Sequence, residues 1–337
     1  MTKIINFSEN RNVYMPNNQM KKSLLKAQRK VYEYPDYKNT EVNRCISEYF
    51  GIEEKNLTVT NGSLEGINLL VCALNKTETV LFVPTFWGYA DALNRFNYIV
   101  KNETLVDELN YDYDRVSEIA KLYKMMILCN PNNPTLSYIP KKVLLSIIKE
   151  NPHCHFIIDE TMLIFDEKYE NKSVSNEVEN FENLSVVVSF SKFLGIAGLR
   201  TGAVFSNKTM IEKVKKLSIP YSLGVIQQNI LPVAFADPNY LDETRKLITK
   251  NREYLCDNLQ QLGCNVIDGN TNFILVKLPD NVDSTAVAKY LYQNGIEVRN
   301  IKEAYPKLKG NWIRISIQTQ KNNELLVKKM QRYIKCK

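Results

Sequence analysis

The chain has 337 residues, more than one compact core usually holds, so two domains, or one large domain with an appendage, are expected. Its composition, 44% hydrophobic and 24% charged with only 12 Gly and 12 Pro, excludes a disordered chain or a repeat array. The net charge of +7 is carried by lysines spread along the whole chain, with pairs at 21–22, 141–142, 215–216 and 328–329 that read as solvated helix faces; no recognition motif accompanies it, so the balance suits anionic small molecules rather than nucleic acid.

The first 35 or so residues show no core pattern and are expected to pack on the C-terminal part of the chain. Short apolar, β-branched runs then alternate with longer amphipathic ones. Strands are predicted at 57–60, 79–83, 125–129, 155–159, 184–190 and 203–206, and helices at 63–75, 87–96, 114–123, 140–150 and 208–217. One long helix is predicted over 239–262, stopped by Gly263. Beyond it come strands at 272–278, 296–300 and 312–317, with a helix near 284–294. The fold class expected is α/β: a three-layer α/β/α large domain with a mostly parallel sheet, and a small α+β domain. The boundaries are an N-terminal segment 1–35, a large domain 36–238, and the long helix with the small domain, 239–337.

Seven cysteines at wide spacing, with no C-x-x-C, predict reduced thiols in a cytoplasmic protein. His153-Cys154-His155 holds both histidines, but its alternation leads into a strand, and no metal site is expected. With no further histidine, Ser-His-Asp and Cys-His schemes lack a base. No run approaches the roughly 20 apolar residues of a membrane span, and the opening MTKIINFSENRN predicts no secretory leader.

Several informative polar residues fall at the carboxyl ends of predicted strands, where open α/β sheets bind ligands. Thr60-Asn61-Gly62-Ser63-Leu64-Glu65-Gly66 follows a strand and opens a helix, which makes an anion cup or simply a capped tight turn. Asn130-Pro131-Asn132-Asn133-Pro134-Thr135 is a stiff loop that aims its amides. Asp159 and Glu160 end an apolar strand, where an acid needs a cation, a salt-bridge partner or a cap. Lys192, in Ser189-Phe190-Ser191-Lys192 ahead of a Gly-rich turn and Arg200, is poorly explained as a surface residue. In a dry pocket it becomes an imine-forming amine, with the hydroxyls and Arg200 suited to a phosphate.

In this order, TNGS, PTFWGY at 84–89, NPNNPT, DE at 159–160 and SFSK…AGLR resemble the fold-type I pyridoxal-phosphate family, over about residues 32–314. The branch containing histidinol-phosphate aminotransferase and threonine-phosphate decarboxylase is the most similar. The resemblance implies an aspartate-aminotransferase-like fold and pyridoxal 5'-phosphate as cofactor. Lys192 would bind the cofactor covalently and shuttle the proton, and Asp159 would pair with the pyridine nitrogen. Asn133 would meet the ring oxygen and Phe86 the ring face. Gly62, Ser63, Leu64, Ser189, Ser191 and Arg200 would hold the phosphate. Tyr34 would reach the phosphate of a neighbouring subunit, which implies a homodimer with shared sites. Arg314 would clamp the substrate carboxylate and Arg299 a distal phosphate.

Three departures from the family pattern stand out. Met162 replaces the tyrosine of DE-x-Y, Leu136 replaces the glycine after NPNNPT, and ISIQTQ follows Arg314 without the expected Gly and Arg. They bear on the substrate more than on the cofactor. The function expected is transfer of an amino group between a small amino acid or amine, phosphorylated ones included, and a 2-oxo acid. Decarboxylation of a phosphorylated amino acid is the alternative.

Overall fold

The computed structural model describes residues 4–335 other than 15, 75–77 and 307; residue 75 of the expected first helix of the large domain, Cys336, and the ends of the N- and C-terminal segments lie outside them. Strand β1 (Ile5–Asn6) and helix α1 (Asn18–Ala27) precede the large domain. That domain runs through α2 (Thr40–Phe50), β2 (Leu57–Thr60), α3 (Ser63–Leu74), β3 (Glu78–Val83), α4 (Gly88–Arg95), β4 (Ile99–Thr104), α5 (Tyr113–Ala120), β5 (Met125–Cys129), α6 (Lys141–Glu150), β6 (His155–Asp159), α7 (Tyr169–Lys172), β7 (Leu184–Ser189), α8 (Phe190–Phe193), β8 (Gly202–Ser206), α9 (Lys208–Leu217) and α10 (Val225–Phe235). Helix α11 (Pro238–Gln261) leads to β9 (Asn265–Ile267), β10 (Phe273–Lys277), α12 (Ser284–Gln293), β11 (Ile296–Glu297), β12 (Arg299–Asn300), α13 (Ile301–Ala304), β13 (Trp312–Ser316) and α14 (Gln320–Lys335).

The large sheet has the order β2-β8-β7-β6-β5-β3-β4. Pairings among β7, β6, β5, β3 and β4 are parallel, and only β8 runs against its neighbours β2 and β7. Because side chains alternate along a strand, each buried strand feeds two cores. Met126, Leu128, Phe156, Ile158, Val186 and Val188 enter the core shared with α6 and α10. Ile127, Cys129, Ile157 and Val187 enter the core shared with α3, α4 and α9. The three-layer α/β/α architecture follows directly from this alternation.

Several elements lie outside the sequence expectation, among them α1, α2, β4, α10 and α14. Strand β4 is an exposed edge without apolar alternation, helix α10 has apolar residues on most of its surface rather than along a stripe, and α2 presents only a short stripe. The expected strand 296–300 is two strands: β11 pairs with β1, whereas β12 pairs with β13 in the four-stranded sheet β12-β13-β10-β9. The N-terminal segment therefore touches both parts of the molecule: β1 joins β11, while α1 packs on α10. His155 bonds the Ser185 hydroxyl at 2.8 Å inside the sheet. Among the described residues no group of three or more His, Cys, Asp or Glu could hold a metal, and no helix is long and apolar enough to cross a membrane.

Candidate active site

Strand phase sets the floor of the site. Cys129, Asp159 and Ser189 are the last residues of β5, β6 and β7, and Cys129 and Asp159 are direct cross-strand partners. All three line one small cavity of about 70 Å³ at the carboxyl ends of the parallel strands. Asp159 is buried, and neutral donors hold both its oxygens: the Tyr89 hydroxyl donates to Oδ2 at 2.9 Å and the Thr161 N–H to Oδ1 at 2.9 Å. Glu160, of opposite phase, points away. It accepts the Val174 N–H at 2.8 Å and the Ser173 hydroxyl, and burial pushes its carboxyl up to about 7. The loop at 173–175 thus takes up Glu160, which leaves Asp159 as the acid in the cavity.

Lys192 of α8 lines the same cavity, its Nζ 5.8 Å from the centre of the Phe86 ring. Removal from water pushes its ammonium down to about 8; Asp159 opposes the shift, and Arg314 and Arg200 add to it. The lowered pKa gives Lys192 a far larger neutral fraction near physiological pH than a solvated lysine has, which makes it a competent nucleophile. Gly88, two residues on, leaves room for the Phe86 ring, since a Cβ there would lie 2.6 Å from Phe86 Cε1 and 2.5 Å from Leu64 Cδ2.

The anion cup is built differently from its sequence reading. Gly62 has φ +81 and spends its N–H on the Thr60 carbonyl at 2.9 Å. Its contribution is the missing side chain: a Cβ there would meet Arg200 Nη2 at 2.7 Å. The N–H groups of Ser63 and Leu64 open α3 and have no partner within the helix. Arg200, itself at φ +51, donates to the Ala197 carbonyl at 3.3 Å and has no carboxylate partner among the described residues. Ser191 stands apart, because its hydroxyl donates to the Thr201 carbonyl at 3.1 Å and accepts the Thr201 N–H at 2.6 Å. It stitches the loop and lies outside the cavity lining, unlike Ser189.

An outer cavity of about 330 Å³ shares Phe86, Asn133, Lys192 and Arg200 with the inner one. Arg314 of β13 forms its wall, with Nη1 donating to Asn133 Oδ1 at 2.6 Å and Nη2 to the Ser8 carbonyl at 2.6 Å. Its guanidinium lies 5.4 Å from the Phe273 ring centre, Nε is buried without a hydrogen-bond partner among the described residues, and burial lowers its pKa to about 10. Arg299 is its cross-strand neighbour and lines the same cavity from an exposed position. Tyr34 is 87% exposed, stacks near Tyr221 at 5.4 Å, and belongs to neither cavity. A larger space of about 680 Å³ lies behind, between α1 and the 195–199 turn, and lacks Lys192 and Asp159.

Sequence reasoning missed Tyr89, Thr161, Tyr305 and the segment Ser8–Asn10, all of which touch these cavities. Tyr89 had a signal, its three-residue spacing from Phe86 at the start of a helix. Tyr305 and the N-terminal segment had none.

These residues fit pyridoxal phosphate on structural grounds. A buried carboxylate at the cavity floor has only neutral donors, Lys192 with its lowered pKa lines the same cavity, and the first N–H groups of α3 with an arginine that has no carboxylate partner among the described residues form the cup. The family model "Aminotransferase class I and II" matches residues 2–330. Histidinol-phosphate aminotransferase of Clostridium kluyveri is 30% identical over 311 residues, covering 90% of this chain and 84% of the relative. The enzyme of that name from Caldanaerobacter subterraneus subsp. tengcongensis is 32% identical over 301 residues, 87% and 82% of the two chains. Among solved structures, histidinol-phosphate aminotransferase from Clostridium acetobutylicum superposes with a TM-score of 0.92 at 21% identity, covering 99% of this chain and 100% of the other. L-threonine-O-3-phosphate decarboxylase from Porphyromonas gingivalis gives 0.84 at 21% identity, covering 98% and 100%. With the family matched over nearly its whole length, the chain belongs to the class I and II aminotransferases and is a pyridoxal-phosphate-dependent aminotransferase.

Proposed function

We propose that the enzyme moves the amino group of a small amino acid or amine, phosphorylated ones included, to a 2-oxo acid, in the cytoplasm and as a homodimer with shared active sites. The observation that carries the substrate class is the pair Arg314 and Arg299, which line one cavity with Lys192. A buried guanidinium with an unpaired Nε suits a carboxylate, and an exposed one beside it suits a second anionic group.

When bound, pyridoxal phosphate supplies an electrophilic carbon and an electron-accepting ring. Lys192 would hold it covalently through Nζ and later carry the proton to and from the substrate Cα. Asp159, its oxygens fixed by Tyr89 and Thr161, would keep the pyridine nitrogen protonated. Asn133 has its oxygen engaged by Arg314, which leaves Nδ2 to donate to the ring oxygen. Phe86 would cover the ring face. Ser63, Leu64, Ser189 and Arg200 would bind the phosphate over Gly62, and Ser191 would support them by fixing the loop. Tyr34, outside the site of its own chain, would reach the phosphate of a second copy.

Decarboxylation of a phosphorylated amino acid is the second reading. It is favoured by Met162, which lines the inner cavity where the family places a tyrosine. The test is to incubate holoenzyme with phosphorylated amino acids and no 2-oxo acid. One-for-one conversion of the cofactor to its amine form supports amino transfer, and catalytic CO2 release overturns it.

A further inference from the structure

The segment Ser8–Asn12 is anchored on both sides of the outer cavity. On one side, the Ser8 carbonyl accepts from Arg314, and the Ser8 hydroxyl donates to Glu297 at 3.0 Å. On the other, the Asn12 N–H donates to the Lys192 carbonyl at 3.1 Å and Asn12 Nδ2 to the Phe193 carbonyl at 2.7 Å. The segment therefore bridges the arginine of the small domain and the turn that bears the lysine. Asn10 lies midway and lines the cavity.

Asn10 is only 5% exposed, its Oδ1 is shielded from water without a donor, and neither end of its carboxamide has a partner among the described residues. A buried polar group left unpaired is costly and calls for an explanation. Other acceptors at this wall are taken: Asn133 Oδ1 and the Ser8 carbonyl by Arg314, and the Glu9 carboxylate by Arg11 at 2.9 Å. The arginines offer donors to anions, so the missing partner of Asn10 is a donor. With the substrate amine directed to Lys192 and its carboxylate to Arg314, that donor belongs to the rest of the substrate.

We propose that Asn10 is a specificity-determining residue whose carboxamide oxygen accepts a hydrogen bond from an O–H or N–H group on the side chain of the amino donor. The proposal rests on the amino-transfer reading and narrows it to donors with a polar, hydrogen-bearing side chain. A half-turn about χ2 exchanges the two ends of the carboxamide without moving the anchored backbone.

The test is the single-turnover conversion of bound cofactor to its amine form by L-homoserine and by L-norvaline, which differ by a hydroxyl in place of a methyl group. Wild type should favour homoserine in kcat/KM by about tenfold, the worth of one such bond. Asn10→Ala should bring the ratio near one, chiefly by lowering the homoserine value, and Asn10→Asp, which retains an acceptor, should keep the preference. If Asn10→Ala loses the cofactor, Asn10→Leu of similar size takes its place. Homoserine reacting no faster than norvaline in wild type, or a preference that survives loss of the carboxamide, overturns the proposal. L-glutamate separates the two readings: conversion by glutamate without a homoserine preference rejects the role of Asn10 alone, whereas conversion by none of the three counts against amino transfer itself.

Discussion

Asn133 and Arg314, 181 residues apart, are joined by a 2.6 Å hydrogen bond between the two ring-side walls of the site. The loop after β5 and the strand β13 of the small domain are thereby fixed to one another at the point where cofactor and substrate would meet. One terminal nitrogen of Arg314 holds Asn133 and the other holds Ser8, so the fork is oriented before any carboxylate arrives.

Replacing the fork by a point charge tests that orientation. Arg314→Lys keeps the charge and cannot hold both anchors while presenting a bidentate face. The expected result is a KM for the amino donor raised about 10- to 100-fold, from loss of about 1.5–3 kcal/mol of charged hydrogen bonding, with the cofactor spectrum unchanged. Asn133→Ala should weaken both cofactor and donor binding. The double variant should be less impaired than the product of the two, since both remove one shared contact.

Lys192 gives a pH dependence of known sign. Its pKa falls from 10.5 to about 8 in the folded chain. Between those values the unfolded chain holds a proton that the folded chain has released. The destabilisation from burying this ammonium is therefore complete below pH 8 and fades as pH rises toward about 10.5. The initial rate of covalent attachment of added pyridoxal phosphate to apoenzyme, trapped with borohydride, should rise with pH with a midpoint near 8. A midpoint near 10.5 would mean a solvated lysine, and Lys192→Ala should trap nothing at any pH.

What the sequence exposed was the part of the site built from strand ends. Asp159 and Lys192 follow buried apolar runs, and a polar or charged residue there has few inexpensive explanations. The Ser8–Asn12 segment was illegible because its partners are remote: Ser8 meets Arg314 306 residues away, and no local period records such a contact. Ser191 shows another limit. Its flank of Lys192 points to a phosphate ligand, whereas the bonds its hydroxyl makes to the Thr201 backbone depend on where the chain returns, which the sequence does not record. The split of the 296–300 run had the same origin, since the competing partners β1 and β13 lie in distant segments.

The shared-site proposal has a direct test by complementation. Tyr34 lies outside both cavities of its own chain, with Tyr32 83% and Tyr37 58% exposed nearby. If Tyr34 serves a second copy, a heterodimer of Tyr34→Ala with Lys192→Ala carries one doubly damaged site and one intact site. Mixing the variants under exchange conditions should yield activity above either parent, and sedimentation should show the dimer. Absence of recovery, with exchange demonstrated by a tag, would remove Tyr34 from the phosphate site.

The two departures within the ring-side loops, Leu136 and Met162, lie in the same part of the core. They pack in one apolar cluster with Phe273, Leu275 and Trp312. Leu136 occupies φ +65, a conformation that suits the glycine the family places there, and a Cβ on Gly269 would lie 2.8 Å from Leu136 Cβ. The leucine thus fills space at the expense of backbone strain, and Met162, flexible and buried, fits against the same cluster. Met162→Tyr alone should overpack the cluster, with a loss of about 1–3 kcal/mol in urea unfolding. Leu136→Gly alone should also destabilise, since the loss of a buried leucine, about 2–5 kcal/mol, outweighs the relief of about 1–2 kcal/mol of left-handed strain. Together the tyrosine can use the volume the leucine vacates, so the double variant should be more stable than the sum by at least about 0.5 kcal/mol. Strict additivity would show that the two side chains do not share space. In the holoenzyme, only the double variant should shift the cofactor absorbance band, because Met162 lines the inner cavity and a phenol there can donate toward the ring only once Leu136 has made room.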